Sequence, residues 1–318
     1  MKTKNKIDVY QMVTDRIIEF LENQNGSEWL KPWQTFGRNR NLATNRQYDG
    51  FVNQMLLGIT SWQKGYELPL WVGFKQLQSL GGSVREGEKG ALITFYKLLT
   101  RADGDVAESS EPEADNVREI PMLRYWYVWN IEQTDLDKAN YLLYQPRDNR
   151  VNVKAARFIK NIPMKLRHFG DRAYYSPKTD TITIPKLDMF NSYTDYVATA
   201  LHEAIHWTES RTNRRDLIAK RYSPEHHYAI EEIVAEIGAA YATSHLNIQG
   251  KLQHSEYIAN WMSVMKNDKK AVFFASRLAK QAFEFLLNFQ NKNKQPLDIK
   301  YSTYCRPLNS HGLKEKNK

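Results

Sequence analysis

Residues 196–215, YVATALHEAIHWTESRTNRR, decide how the second half of this 318-residue chain folds. They contain His202, Glu203 and His206 in the spacing HExxH. If the stretch is helical, the two histidines lie one turn apart on one face, where one tetrahedral metal ion can bind both. Glu203 then lies beside the metal and can accept a proton from a bound water. The alternative is an amphipathic helix that carries two histidines and no metal.

A second helical stretch, EEIVAEIGAA at residues 231–240, offers a third ligand. Glu232 and Glu236 are four residues apart among apolar neighbours, where an unpaired carboxylate is costly. We predict that Glu232 binds the metal and that Glu236 orients a ligand histidine, as in zincins of the glutamate type. Glu231 is the fallback ligand, or else a plain surface charge. The donors favour one Zn²⁺ per chain, although Mn²⁺ or Co²⁺ can use the same atoms.

The residues around this motif predict a mainly helical unit with a short sheet. MKLRHFG, RAYYSP and TITIPK are three short strand candidates, and Ser192 or Thr194 can cap the motif helix. We expect the strand DTITIP to be the edge strand along which zincins hold an extended peptide. The predicted chemistry is hydrolysis of a peptide bond, with Glu203 as the catalytic base.

Composition limits the class of protein. Apolar residues make up 42% and charged residues 25% of the chain, as in ordinary globular proteins. We find no apolar run long enough to cross a bilayer and no signal-peptide pattern, so we expect a cytoplasmic protein without a membrane partner. The single cysteine, Cys305, excludes an internal disulfide and a cysteine-based zinc cluster. The net charge of +9 fits either a nucleic-acid partner or a solvated basic surface.

The first half predicts a small mixed α/β domain, so the whole chain is expected to be α+β. Two amphipathic helices, a short helix and a pair of strands are indicated before residue 134. An acidic segment at about 101–119 interrupts the strand pair and is expected to be a mobile loop. We place a domain boundary between residues 147 and 148 and a polar, basic tail at 291–318.

Six of the eight tryptophans lie in this first half. Aromatic rings interleaved with basic residues are typical of proteins that bind single strands, because every base can stack and every phosphate is charged. We expect Trp62, Trp126 and Trp129 to fill the core, whereas Trp29, Trp33 and Tyr48 could serve either role. The glycine-rich stretch at residues 81–90 lacks the spacing of a P-loop or of a dinucleotide fingerprint. It is either a basic hairpin or a simple turn.

Several blocks together resemble one known family. EWLKPWQTF, ATNRQYDGFVNQMLL, YELPLWVGFKQLQSLGGSVREGEKGALITFYK and YWYVWNIEQTDL resemble the N-terminal domain of the ArdC antirestriction proteins, and HEAIHWTESRTNRRD with EEIVAEIGAAY resembles their zincin-like metallopeptidase domain. The resemblance implies a domain at 1–147 that binds single-stranded DNA and a metallopeptidase domain at 148–290. By position, His202, Glu203, His206 and Glu232 match the metallopeptidase motif. From their chemistry within the N-terminal blocks, the predicted DNA-binding residues are Trp29, Lys31, Trp33, Arg46, Tyr48, Lys75, Arg85 and Lys89.

The resulting functional hypothesis is an antirestriction protein of a plasmid or other mobile element. It would bind single-stranded DNA and carry a zinc-dependent peptidase whose protein substrate is unidentified, with host restriction machinery as one possibility. One alternative is a protein that coats single-stranded DNA and has a structural or vestigial metal site. Another is a metallopeptidase that cleaves a regulator protein.

Overall fold

The computed structural model describes residues 7–23, 39–102, 117–141, 153–248 and 258–290. Within them the chain is mainly helical with two small sheets, which confirms the predicted α+β class. Part of the predicted acidic loop (103–116), the whole predicted tail (291–318) and three predicted DNA-binding residues (Trp29, Lys31 and Trp33) lie outside the described residues. No helix in the described ranges is both long and apolar enough to cross a membrane.

The described part of the first half contains three α-helices and a four-stranded sheet. Its elements are α1 (Val9–Glu22), β1 (Arg40–Asn41), α2 (Phe51–Lys64), β2 (Leu70–Val72), α3 (Phe74–Ser79), β3 (Ala91–Ala102) and β4 (Val117–Asn130). The strand order is β1-β2-β4-β3, and β3 and β4 form a long antiparallel pair. This confirms the predicted strand pair, and β1 and β2 are two further short strands.

The second half contains a three-stranded sheet and the helices that carry the HExxH motif. Its elements are α4 (Val153–Asn161), β5 (Lys165–His168), β6 (Tyr174–Ser176), β7 (Thr181–Ile184), α5 (Tyr193–Trp207), α6 (Arg214–Ala219), α7 (Pro224–His245), α8 (Ile258–Asn267) and α9 (Ala271–Leu287). The strand order β5-β7-β6 puts β7, the strand DTITIP, in the centre of the sheet. The prediction that it is the edge strand is therefore wrong. β6, paired antiparallel to β7, is an edge strand.

Local sequence explains where the two central helices begin. The hydroxyl of Ser192 accepts a hydrogen bond from the backbone N–H of Asp195 at 3.1 Å and caps α5. Ser223 caps α7 in the same way, and Pro224 follows at a position where its missing N–H costs nothing. Of the two predicted caps of the motif helix, Ser192 is the one that the structure uses.

The two halves share one hydrophobic core. Side chains of α1 and α2 belong to the same buried cluster as those of α5, α7, α8 and α9. Polar contacts cross the same boundary: Thr14 Oγ1 donates to the carbonyl of Lys269 at 2.9 Å, and the backbone N–H of Phe51 donates to the hydroxyl of Tyr241 at 3.1 Å. Helices α1 and α2 therefore pack with the helices of the second half in one core. The predicted domain boundary at residue 147 stays a prediction.

Candidate metal centre

A close approach of α5 and α7 brings the motif residues together. Gly238 of α7 lies against Ile205 of α5, and a Cβ at this glycine would come within 2.7 Å of the isoleucine side chain. Because only glycine allows this contact, the two helices can pack closely enough for short carboxylates of α7 to reach the histidines of α5. His202 and Glu232 are both buried there.

Three donor groups converge at this contact. Nε2 of His202 lies 3.2 Å from Nε2 of His206, and Glu232 oxygens lie 3.4 Å and 3.5 Å from these two nitrogens. A tetrahedral zinc ion with ligand bonds of about 2.0–2.1 Å separates neighbouring ligand atoms by about 3.3–3.4 Å. The spacing and the donor types therefore fit a divalent metal ion bound by His202, His206 and Glu232.

Glu231 is neither a ligand of this trio nor a surface charge, and this is the main correction to the predicted site. Its Oε1 lies 3.1 Å from Nδ1 of His206, on the side of the ring opposite the converging nitrogens. The guanidinium of Arg214 donates to both Glu231 oxygens, at 2.6 Å and 2.8 Å. Arg214 is only 1% exposed and also donates to the carbonyl of Ile205. Glu231 thus orients His206, and Arg214 holds Glu231.

The predicted orienting residue, Glu236, is almost fully buried next to the other histidine. Its Oε1 lies 3.8 Å from Nδ1 of His202, longer than a direct hydrogen bond. Its role as an orienting group therefore stays a prediction, whereas Glu231 makes the corresponding short contact to His206.

The electrostatics of the trio follow from burial and pairing. Burial alone lowers the pKa of His206, but contacts with Glu231 and Glu232 outweigh it and raise the pKa well above 6.5. Burial raises the pKa of Glu232, but its contacts with the two histidines lower this pKa by more, so the net shift is downward. For Glu231, the charge and hydrogen bonds of Arg214 outweigh the effect of burial, and the net shift is again downward. Both carboxylates are therefore ionised in the folded chain.

The trio lies in an open cleft of about 830 Å³. Glu203 is buried and lines the same cleft, outside the set of converging donors. The edge strand β6 contributes Tyr174 and Tyr175 to the cleft wall. Tyr228 and the pair His227–Glu209, joined at 3.2 Å, line it as well.

An ion pair fixes the edge strand relative to the motif helix. Arg211, just after α5, donates to both carboxylate oxygens of Asp180 in the turn between β6 and β7, at 2.7 Å and 2.8 Å. The same carboxylate accepts a hydrogen bond from the hydroxyl of Tyr175 at 2.9 Å. The Arg211 guanidinium also lies over the Trp207 ring, 3.9 Å from its centroid. These contacts hold β6 beside the candidate metal ligands.

The structure describes five of the eight predicted DNA-binding residues. Four of them, Arg46, Lys75, Arg85 and Lys89, are exposed. The fifth, Tyr48, is half-buried against the cluster around Trp71, and its hydroxyl bonds to Asn41 and to the carbonyl of Trp71. Burial raises the pKa of Tyr48 to about 12. A role in DNA binding stays a prediction for all of them.

Two of the three tryptophans assigned to the core are on the surface. Trp62 is 48% exposed on α2, and Trp126 is 46% exposed on β4. Their sequence surroundings are apolar, but the geometry of the helix and the strand turns both side chains outward. The third, Trp129, is half-buried and packs against Phe74.

The fold and the donor set define a protein of the zincin-like class, with two histidines and a glutamate as candidate ligands. The family of zincin-like metallopeptidases matches residues 153–278, and the N-terminal domain of anti-restriction factor ArdC matches residues 7–129. The crystal structure of metal-free antirestriction ArdC from plasmid R388 is 31% identical, with a TM-score of 0.70 over 91% of this chain and 100% of that one. The chain belongs to the ArdC family of antirestriction proteins.

The chain is also similar to another structure of this ArdC protein and to three proteins with other names. The Mn(II)-bound structure of ArdC from R388 has a TM-score of 0.66 at the same identity and coverage. The uncharacterized protein y4eC of Sinorhizobium fredii is 30% identical over 88% of this chain and 91% of its own length. Two DNA primases TraC of Escherichia coli are 30% and 29% identical over 90% of this chain. The chain spans 20% and 28% of their respective lengths.

Proposed function

We propose that the protein is an antirestriction factor that binds single-stranded DNA through its first half and cleaves protein with a zinc-dependent site in its second half. The observation that carries the proposal is the convergence of His202, His206 and Glu232 in an open cleft beside Glu203 and an edge strand. A structural metal site needs neither an open cleft nor a carboxylate next to its first histidine.

The cleft offers several of the groups that peptide hydrolysis requires. A bound divalent ion supplies Lewis acidity for the attacking water and the scissile carbonyl. Glu203 accepts the proton of that water and passes it to the leaving amine. The free edge of β6 can pair with an extended peptide through main-chain hydrogen bonds. Glu231 keeps the His206 ring in place, because a hydrogen bond to one ring nitrogen fixes how the other is presented.

Two nitrogen donors and one carboxylate are typical of catalytic zinc, so we propose Zn²⁺ as the resident ion, one per chain. The Mn(II)-bound structure of the R388 relative supports a divalent ion without selecting zinc. Mn²⁺ and Co²⁺ remain substitutes that the same donors accept.

The proposed role of the first half rests on the family assignment and on exposed cations. Arg46, Lys75, Arg85 and Lys89 are available to phosphates. The protein substrate would then be one that meets incoming DNA, such as host restriction machinery, in the cytoplasm. Coating of single-stranded DNA without proteolysis is the competing function, and cleavage of a regulator protein is a third.

Metal content is the first test. Elemental analysis of the purified chain should give about one zinc per chain, and Glu232→Gln should lose it because one of three ligands is gone. Glu225→Gln is the matched control, since Glu225 is an exposed carboxylate on the same helix. A folded wild-type chain that takes up no zinc, manganese or cobalt would refute the peptidase site.

Glu203→Gln separates the proposed functions. This variant should keep its metal and lose hydrolysis of an unfolded protein substrate, because the metal ligands remain and the base is gone. If it protects incoming DNA from restriction as well as the wild type does, coating of the DNA explains protection and proteolysis does not. If protection is lost while binding of single-stranded DNA is kept, the peptidase is required.

A further inference from the structure

The β3–β4 hairpin exposes aromatic side chains on the face opposite the side chain of Thr94. Nearer the start of β3 the same face is covered, because Ala91 and Ile93 belong to the cluster around Leu57 and Trp71. Thr94 of β3 is bound to Asn53 of α2 through its backbone N–H and its hydroxyl, so its side chain faces this helix. Because side chains alternate along a strand, Phe95 points to the opposite face. In the register of the hairpin, Arg124 pairs with Phe95 and Trp126 pairs with Ile93, so they share that opposite face.

Phe95 and Trp126 form an exposed aromatic pair on this face. They are 51% and 46% exposed, and their ring centroids lie 5.9 Å apart with planes at 76°. An edge-to-face contact covers at most one of the four ring faces, so the remaining faces are open to a stacking partner. The guanidinium-bearing residue Arg124, directly across the hairpin from Phe95, is exposed as well.

We infer that the outer face of the β3–β4 hairpin, formed by Phe95, Arg124 and Trp126, is a stacking site for the bases of single-stranded DNA. The inference rests on the proposed DNA binding of the first half and places it at residues outside the eight predicted from sequence. Two open rings beside a cation match what single-strand binding requires, namely a surface for unpaired bases and a charge for the phosphate.

The partner is a single strand because duplex DNA keeps its bases stacked on each other and offers no free base face. Aromatic stacking tolerates any base, so the site should show little sequence preference. The described aromatic rings of this face are not packed against the core as Tyr125 and Leu92 on the inner face are. Removing Trp126 should therefore leave the fold intact.

Binding of a fluorescent oligothymidylate to the full chain, followed by anisotropy at fixed salt, tests the site. Trp126→Ala should weaken binding by roughly 5- to 150-fold, the loss of one stacked base, and Trp126→Phe should restore most of it. Trp62→Ala is the matched control: Trp62 is equally exposed, has one edge-to-face contact with Phe20 and lies on α2. It should bind like the wild type.

Arg124→Gln should lower the slope of log affinity against log salt by roughly 0.7, and Arg124→Lys should not.

The outcomes separate this site from the proposed function. If the wild type does not bind the oligonucleotide, DNA binding by the first half is refuted and the stacking site with it. If the wild type binds and Trp126→Ala binds equally well, the stacking site alone is refuted. A dimer in light scattering that Trp126→Ala dissociates, with DNA affinity unchanged, would also overturn it, because the face would then be a contact between copies.

Discussion

Glu231→Gln tests whether the Arg214–Glu231 ion pair positions the metal ligand His206. The substitution keeps the size and shape of the side chain but removes its charge, so the Arg214 guanidinium stays buried without a counterion. Removing one partner of a buried ion pair costs about 3–5 kcal/mol. Arg214 keeps its hydrogen bonds to Thr208 Oγ1 at 2.8 Å and to the carbonyl of Ile205 at 2.9 Å, so we expect the lower end, about 3 kcal/mol.

The same substitution should weaken metal binding. Loss of an orienting partner behind a ligand histidine typically costs about 10- to 100-fold in metal affinity. Competition with a chromophoric chelator measures this affinity, and thermal unfolding of the metal-free chain measures stability. Glu209→Gln is the control, because the Glu209 carboxylate contacts His227, a histidine of the same cleft that is not a candidate metal ligand. It should change both quantities little.

A double variant separates stability from positioning. Arg214→Met with Glu231→Leu replaces the buried pair by apolar groups, which is often neutral for stability. Stability should return toward the wild-type value, while metal affinity stays low because His206 still lacks its partner. If Glu231→Gln has the thermal stability and the metal affinity of the wild type, the ion pair does not position His206. The same conclusion follows if the double variant regains full metal affinity.

Three further predictions concern helix packing, tyrosine titration and the edge strand. Gly238→Ala should destabilise the chain by about 1–3 kcal/mol and weaken metal binding, because the new methyl group forces α7 away from α5; unchanged affinity in a chelator titration would contradict this. Burial raises the pKa of Tyr48 and Tyr196 to about 12, so in a titration at 295 nm both should ionise well after the ordinary value of about 10. Because the unfolded chain loses these protons at lower pH than the folded chain, the free energy of unfolding should fall between about pH 10 and 12. The fall should be less steep in Tyr48→Phe, and an equal fall in that variant would show that Tyr48 is not buried in solution. Asp180→Asn should speed amide hydrogen exchange in β6 without changing metal affinity, because it breaks the ion pair with Arg211; unchanged exchange would mean that other contacts hold this strand.

The convergence of His202, His206 and Glu232 could be predicted from sequence because each residue carries a local signal. His202 and His206 are separated by one helical turn, and Glu232 is a charge in an apolar helix, where burial demands a partner. Arg214 could not be found in this way, since NRRD has the appearance of an exposed charge cluster. Only the packing of α6 against α7 shows that Arg214 is buried and bound to Glu231.

The surface aromatics were misassigned for a related reason. YWYVW, residues 125–129, consists of aromatic and apolar residues along its whole length, which suggests a core strand. Side chains alternate along β4, so Tyr125 points toward α2 and Trp126 toward solvent. No local feature of the sequence shows which of the two alternating sets of side chains faces the core. The edge strand was likewise missed because strand order in a sheet depends on pairing between distant segments, and β6 and β7 look equally suitable by themselves.

The core shared by the two halves limits how this protein can be divided, in the laboratory and in evolution. A fragment cut at the predicted boundary would expose the apolar faces of α1 and α2 that now cover α8 and α9. The similarity to the longer TraC proteins extends over 301 residues, which includes both halves. Recombination that transfers the zincin-like half alone would leave an uncovered core behind. The unit that can be transferred between genes in working order is therefore the pair of halves together.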